Sequence, residues 1–182
     1  ETGSSATERL RIDSSGRLML GTTTEGQTSA DNFTVADSGH CGITIRSGTT
    51  SEGAIYFSDG TSGDAEYRGQ VFYDHDGDYM RFSTAASERM RIDSSGLLML
   101  GTTTAATNAE VTIRAASPQL SLYATPGNAS RITLGDTDDH NIGEISYDNS
   151  DNSLNFATNA ATRMGIDSSG VVKLTQSGNN PR

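Results

Sequence analysis

Apolar residues alternate with other residues along the chain in short triplets of the form apolar-x-apolar. Because successive side chains of a β-strand point to opposite faces, each triplet places two apolar side chains on one face of a strand. The triplets predict short strands at residues 10–12, 18–20, 33–35, 43–45, 55–57, 71–73, 80–82, 90–92, 98–100, 111–113, 120–122, 132–134, 145–147, 154–156, 164–166 and 172–174. The sequence therefore predicts an all-β fold in which short strands are joined by turns.

The triplets recur in a seven-strand order that restarts with each copy of one phrase. The phrase reads ERLRIDSSG from residue 8, ERMRIDSSG from residue 88 and TRMGIDSSG from residue 162. Such a near-fixed period is typical of repeat architectures. We assign residues 1–87 to a first repeat that begins partway through the unit, 88–161 to a second, and 162–182 to the start of a third with a C-terminal tail. The parent protein is therefore expected to be longer.

The repeated phrase predicts a β-hairpin with one apolar face. The triplets at 90–92 and 98–100 point their apolar side chains to the same side, and the turn lies between them. Asp93 suits the start of the turn because its carboxylate can accept hydrogen bonds from backbone amides two residues on, and Gly96 can adopt the positive φ that the loop needs. Arg91 is expected on the opposite, exposed side of the hairpin.

Composition indicates a chain with too few apolar residues for a large core of its own. Ile, Leu, Val and Phe make up about 17% of the residues, below the roughly 20% that marks disorder-prone sequences, but their regular placement argues for order. Two apolar side chains per strand do not offset the backbone entropy lost in ordering the strand and its loop. We therefore expect several copies to place their apolar faces around a common axis in an intertwined oligomer.

Charge excludes several classes of partner. The net charge is −10 and the isoelectric point about 4.6, and no Lys/Arg cluster provides the basic surface that nucleic acid or an anionic membrane requires. No apolar run approaches the roughly 18 residues of a membrane span. The single cysteine, Cys41, cannot form an internal disulfide, and we expect it to be buried in apolar packing.

No catalytic, cofactor or metal site is predicted. Residues 74–78 read Asp-His-Asp-Gly-Asp, but Tyr79 and Ala85 stand where a calcium loop of the helix-loop-helix type needs Gly and Glu. The acidic stretch at 136–140 and His40 lack partners at the spacing of zinc ligands. All three are interpreted as solvated turns and loops. No G-x-S-x-G or phosphate-binding loop is present, so the chain is not expected to be an enzyme.

The phrase R-[LM]-R-I-D-S-S-G, followed by an apolar strand and G-T-T-T, resembles repeats in tail-fibre proteins of tailed bacteriophages. Those repeats often read R-I-D-S-S-G-x-V-G-I-G-T-T-x-P, whereas Leu-Met-Leu replaces Val-Gly-Ile here and no Pro follows Thr104. The resemblance covers about fourteen residues per copy. It implies a homotrimeric β-fibre, a stem similar to a β-prism or β-helix, located on the virion.

Three functions are compatible with these observations. The first is a structural fibre segment that spaces or presents a receptor-binding tip, with other copies of the chain, the rest of the fibre and tail, and the host surface as partners. The second is a carbohydrate-binding adhesin that uses loops 58–70 or 135–144, where Tyr67 is the aromatic residue. The third, a polysaccharide-cleaving tailspike, has no specific support. Receptor-binding residues are not predicted.

Overall fold

The protein is described by a computed structural model that covers residues 8–175. Within that range the chain forms fourteen β-strands and one short 3-10 helix, Gly63–Tyr67. The strands are β1 (Leu10–Ile12), β2 (Leu18–Leu20), β3 (Phe33–Val35), β4 (Glu52–Phe57), β5 (Gly69–Asp74), β6 (Tyr79–Thr84), β7 (Ser87–Ile92), β8 (Leu98–Leu100), β9 (Val111–Ile113), β10 (Ala129–Leu134), β11 (Gly143–Asp148), β12 (Ser153–Thr158), β13 (Ala161–Ile166) and β14 (Val172–Leu174). The predicted all-β class is confirmed. The predicted start of the first repeat at 1–7 and the C-terminal tail at 176–182 lie outside the described residues.

The strands form three sheets in which neighbours in sequence are neighbours in space. The first sheet contains β1 to β3, the second β4 to β9 and the third β10 to β14. Most neighbours are antiparallel, as the predicted hairpins require, but β2 pairs with β3 and β8 pairs with β9 in parallel. The chain is therefore not built from hairpins alone.

The sheets are offset from the repeats assigned from the sequence. The six-stranded sheet takes β4 to β6 from the first repeat and β7 to β9 from the second. The described residues divide into two compact units at the bond between residues 116 and 117. The repeated phrase thus opens the first sheet with β1, whereas in the second and third sheets it contributes the later strands β7 and β13.

Two of the sixteen predicted strands are absent from the part of the chain that the structure describes. The triplets at 43–45 and 120–122 form no strand, whereas every other triplet lies within one. The prediction is wrong at these two places because no strand of the same chain pairs with either segment, and a strand needs a hydrogen-bonded neighbour. Both failures occupy the fourth position of their repeat.

The predicted hairpin of the repeated phrase is confirmed. The Asp93 carboxylate accepts hydrogen bonds from the Ser95 and Leu97 amides at 2.9 and 3.0 Å. Gly96 has a φ of +81°, which an L-residue with a side chain adopts only at a cost. The other two copies of the phrase repeat this geometry, with Asp13 and Asp167 accepting the equivalent bonds.

The G-T-T-T that follows the hairpin also has a structural reason. Gly101 has a φ of +72° at the end of β8, and a Cβ there would collide with the Arg114 carbonyl of the chain leaving the parallel strand β9. Gly21 stands in the same relation to the Ala36 carbonyl after β3. Thr102 Oγ1 then accepts a hydrogen bond from the Thr104 amide at 3.2 Å, which closes the turn. The sequence repeats these residues because the parallel strand approaches the backbone closely.

The connection between the parallel strands covers one face of the sheet. Because β8 and β9 run in the same direction, residues 101–110 must return across the sheet. The Ala106 amide donates to Thr112 Oγ1 at 2.9 Å, and Thr112 pairs in register with Met99, which is only 1% exposed. The first sheet repeats this arrangement, with Gly26 bonded to Thr34 beside buried Met19.

The buried apolar residues therefore lie on the face opposite to the predicted apolar one. Met19, Phe72 and Met99 are the buried apolar side chains among the described residues, and each is the middle residue of a predicted triplet. The outer residues of the triplets remain accessible. Within residues 8–175 no helix has the length and apolar character needed to cross a membrane.

Candidate association surface

The outer residues of the triplets form two uncharged rows across one face of the six-stranded sheet. The pairing register determines this alignment because directly paired residues point to the same face. One row comprises Ile55, Val71, Phe82, Met90, Leu100 and Ile113, and the other comprises Tyr73, Met80, Ile92, Leu98 and Val111. None of these side chains is buried, and Ile55 is 51% exposed. We call this surface the apolar face of the sheet.

The other two sheets carry the same surface. In the five-stranded sheet the rows are Ile132, Ile145, Phe156, Met164 and Leu174, and Tyr147, Leu154, Ile166 and Val172. In the three-stranded sheet they are Leu10, Leu20 and Val35, and Ile12, Leu18 and Phe33. These rows contain no charged residue, although the chain carries a net charge of −10. Each sheet thus has an apolar face that the folded chain leaves accessible.

Two grooves extend this surface within the first compact unit. One groove is lined by Phe33, Val35, Cys41 and Ile43. The other is lined by Ile43 and Ile45 together with residues of the six-stranded sheet, among them Ile55 and Val71. Because Ile43 lines both grooves, the segment 41–45 joins the apolar faces of the first two sheets.

On the opposite face of the six-stranded sheet, two arginines stack on aromatic rings. The Arg81 guanidinium lies 3.7 Å from the centre of the Phe72 ring, and that of Arg91 lies 3.8 Å from the centre of the Tyr79 ring. Both Arg91 nitrogens Nε and Nη2 donate to the Glu88 carboxylate, at 2.8 and 2.7 Å. This bond to Glu88 raises the pKa of Arg91, and burial raises the pKa of the Tyr79 hydroxyl.

The expectation that Arg91 is exposed is therefore wrong. Only 18% of the Arg91 side chain is accessible, and the residue is half-buried. Ile92 on the apolar face is exposed, with 40% of the whole residue accessible. The reason is that the Arg91 guanidinium stacks on Tyr79 of the adjacent strand β6 and donates to Glu88 of its own strand, whereas nothing in the described chain covers Ile92 to the same degree. The more accessible side of the hairpin at this point is its apolar side.

The apolar face is repeated in the second compact unit, but the arginine-stacked face is not. The third sheet places Ser146 opposite Asn155, Asn155 opposite Gly165 and Gly165 opposite Lys173 on its other face. These positions correspond to Phe72, Arg81, Arg91 and Met99 of the six-stranded sheet. The feature common to all three sheets is thus the apolar face.

The acidic turn at 74–78 is closed by the carboxylate of its first residue, Asp74. Asp74 Oδ1 accepts hydrogen bonds from the amides of Asp76 and Gly77 at 2.8 and 3.1 Å. The bond from Gly77, with those from Tyr79 and Asp76, holds the pKa of the Asp74 carboxyl below its ordinary value. Nowhere in residues 8–175 do three His, Cys, Asp or Glu side chains come together as a metal site would require.

The other acidic candidate is also a closed turn. Asp136 Oδ1 accepts hydrogen bonds from the Asp138 and Asp139 amides, both at 3.0 Å. These two bonds, the one from Asp139 first, lower the pKa of the Asp136 carboxyl. His140 and His40 lie on exposed segments.

The prediction that Cys41 is buried is wrong. Its side chain is exposed, with Sγ within 3.4 Å of the Val35 carbonyl oxygen, to which the thiol donates. The prediction rested on the general tendency of a free cysteine to pack as a small apolar residue. Because the following triplet, 43–45, forms no strand, Cys41 lines an open groove instead.

Two exposed tyrosines are relevant to the carbohydrate hypothesis. Tyr67 ends the 3-10 helix and is 40% exposed, as its loop position implies. Tyr123 is 94% exposed and was missed by sequence reasoning because it lies outside the two loops considered. Its position directly after the triplet 120–122 is the signal that could have found it.

Comparison with known proteins does not indicate a function for this chain. No protein-family model matches the chain, and no curated protein matches it.

Proposed function

We propose that this chain is a structural segment of a trimeric tail fibre of a tailed bacteriophage, which spaces or presents a host receptor-binding tip on the virion. The observation that carries the proposal is the uncharged apolar face that recurs on all three sheets. The virion setting and the number of three chains come from the resemblance of the repeated phrase to tail-fibre repeats.

Exposed apolar area on this scale supports association. Many large apolar side chains of the apolar faces are accessible, among them Ile12 at 71%, Val111 at 54% and Leu174 at 76%. Monomeric proteins rarely expose contiguous apolar patches of more than a few hundred Å². Burial of such area contributes roughly 25 cal/mol per Å² removed from water. The single chain lacks this stabilisation, because few apolar side chains of its described residues are buried.

Charge supports the same arrangement. The apolar rows carry no charged side chain, so copies that meet through them bring no carboxylates together at the contact. The charges lie elsewhere, as in the pair of Arg91 with Glu88 and the pair of Arg17 with Asp31. A net charge of −10 on the remaining surface favours solubility of the assembled fibre.

The molar mass in solution tests the proposal. Light scattering on the purified chain is expected to return three times the chain mass of 19.2 kDa. A folded sample with the mass of one chain would contradict the shared core. For the virion setting, antibodies raised against the chain should label the tail fibres of the source phage in electron micrographs, and labelling of the capsid alone would contradict it.

Carbohydrate binding is a second candidate, favoured by Tyr67. Its ring is accessible beside Arg68, whose guanidinium lies 3.6 Å from the Asp64 carboxylate and 3.9 Å from that of Asp59. An aromatic face next to charged hydrogen-bonding groups is an arrangement that sugars can use. A glycan array separates the candidates: binding that Tyr67→Ala abolishes favours the adhesin, and an array without signal favours the structural segment.

A further inference from the structure

We propose that the triplets at 43–45 and 120–122 become β-strands only when they pair with a second copy of this chain. This inference rests on the proposed function in one respect, since it assumes that the chain associates with itself. It goes further by stating which backbone segments connect the copies.

The two triplets occupy the same position in their repeats, and neither forms a strand. Each is the fourth triplet of its repeat, and these are the two triplets without a strand in the range that the structure covers. Both have the alternation of a strand, and 43–45 reads Ile-Thr-Ile, three β-branched residues that favour strands. The same outcome in two repeats with different loop lengths indicates one common cause.

The backbone of both segments is available to a partner. Residues 42–47 and 119–124 make no backbone-to-backbone hydrogen bond with any other described residue. Their apolar side chains are also accessible, at 68% for Ile43, 50% for Ile45, 72% for Leu120 and 45% for Leu122. A strand-forming sequence with unpaired amides and accessible apolar side chains is a template for another strand.

Each segment is nevertheless held in the same place beside its own sheet. Ile45 contacts the position of Gly53 in β4, where a Cβ would lie 3.4 Å from its side chain. In the second repeat the equivalent of Gly53 is Ser130 in β10, whose hydroxyl donates to the Leu122 carbonyl at 3.0 Å. The chain therefore positions both triplets without completing their hydrogen bonds.

A second copy of this chain is the partner that fits these two segments. The partner must offer an open strand edge and an apolar face, and it must do so twice with the spacing of this repeat. The chain itself meets all three conditions, because β4 and β9 are edge strands of a sheet whose apolar face is accessible, and the third sheet repeats this pattern with β10. The grooves that share Ile43 also make this segment continuous with the apolar faces through which copies are proposed to meet.

A pair of proline variants tests the inference on the full chain. Thr44→Pro removes the amide at the centre of the first triplet and so prevents pairing there. Thr49→Pro is the matched control: it is the same exchange, also at an exposed residue, but it lies at the second position of the turn closed by the Ser51 amide and the Gly48 carbonyl, where proline is favoured.

Light scattering over a dilution series is expected to show association at least tenfold weaker for Thr44→Pro, with that of Thr49→Pro unchanged. At a dilution at which both variants are dissociated, circular dichroism should show the same strand content for both, because Thr44 makes no backbone-to-backbone hydrogen bond within the described chain. Hydrogen exchange of the assembled wild type should show slowed amides at 44–45 and 121–122. An assembly in which these amides exchange freely, or in which both variants associate equally, would overturn the strand pairing while leaving the proposed trimer intact. A monomeric wild type would overturn both.

Discussion

Two tight turns between strands contain non-glycine residues whose backbone is strained in the left-handed region. Ala85 and Ala86 connect β6 to β7 with φ values of +51° and +55°. A two-residue hairpin of this kind favours Asn-Gly, since both positions need positive φ. The second repeat has Asn159 and Ala160 at the equivalent turn, both with φ of +51°. Neither turn was predicted from the sequence: Ala85-Ala86 contains no turn residue, and at the second turn Asn159 is followed by alanine rather than the glycine that such a loop favours.

We expect the replacement of Ala85-Ala86 by Asn-Gly to stabilise the protein by about 1 kcal/mol. The left-handed conformation costs an L-residue roughly 1–2 kcal/mol, and the greater backbone freedom of glycine in the unfolded chain offsets part of the gain. The hydrogen bond from the residue 86 amide to the Arg68 carbonyl is preserved. Chemical denaturation measures the change. Ala54→Gly within β4 is the control of opposite sign, with an expected loss of about 0.5–1 kcal/mol, and a loss from both changes would contradict the strained turn.

At the scale of strands and hairpins, the two sides of β7 are used differently. Ile92 lies on the apolar face and is 40% exposed in the single chain, while Arg91 lies against Tyr79 and Glu88 on the other side. The side that the single chain covers is thus the side that carries charge. This division assigns the arginines to the stability of the sheet and the apolar residues to contact between copies.

Ile92→Asp is expected to abolish association, and Ser94→Asp is its matched control. In an assembly the new carboxylate enters an apolar layer without a partner, at a cost of several kcal/mol per chain. Ser94 is exposed in the turn two residues away, and the same added charge there should change stability by no more than about 0.5 kcal/mol. Light scattering and thermal melting measure both. Retention of the wild-type mass by Ile92→Asp would show that the apolar face is not the contact surface.

Arg91→Asp should also be costly, but to the folding of the single chain. The change removes the hydrogen bonds to Glu88 and the contact with Tyr79, and it places two carboxylates on adjacent positions of the same face. The expected loss is about 1–2 kcal/mol of stability, read from denaturation of the double variant Arg91→Asp/Ile92→Asp against Ile92→Asp alone, both of which are expected to be monomeric. An unchanged midpoint would contradict a stabilising role for this pair.

The alternation of side chains predicted the elements well but not the face that is buried. Fourteen triplets lie in strands because the period of two is a direct consequence of strand geometry. Phe72 and Met99 were not expected to be buried, because their burial depends on a parallel connection crossing their face and on arginines from adjacent strands. The triplets at 43–45 and 120–122 failed for another reason: their pattern describes a strand, but the chain contains no partner for it. Thr34 and Thr112, which anchor the two crossing connections, are a repeated signal that could have been read.

At the scale of the whole molecule, carboxylates that accept backbone and side-chain hydrogen bonds are distributed over both compact units. The pKa of each of the following is lowered from the ordinary value of 3.8: Asp13, Asp74, Asp136, Asp148 and Asp167. Bonds from the Arg17 backbone and side chain are the main cause at Asp13, and the ion pair with Lys173 is the main cause at Asp167. Acid should therefore act on the turns of every sheet rather than at one site.

We expect the stability of the wild-type chain to be constant above about pH 5 and to fall as the pH drops below about 4. A carboxyl whose pKa is lower in the folded than in the unfolded state stabilises the fold above the unfolded value, and this stabilisation is lost as the pH falls through the folded value. Denaturant midpoints at pH 6, 4 and 3 measure the effect. Asp13→Asn keeps an oxygen acceptor in the turn but removes the titrating group, so its midpoint should fall less over the same range. The net charge of −10 acts in the opposite direction, because protonation relieves repulsion between carboxylates. A midpoint that rises between pH 4 and pH 3 would show that this repulsion outweighs the hydrogen-bonded turns.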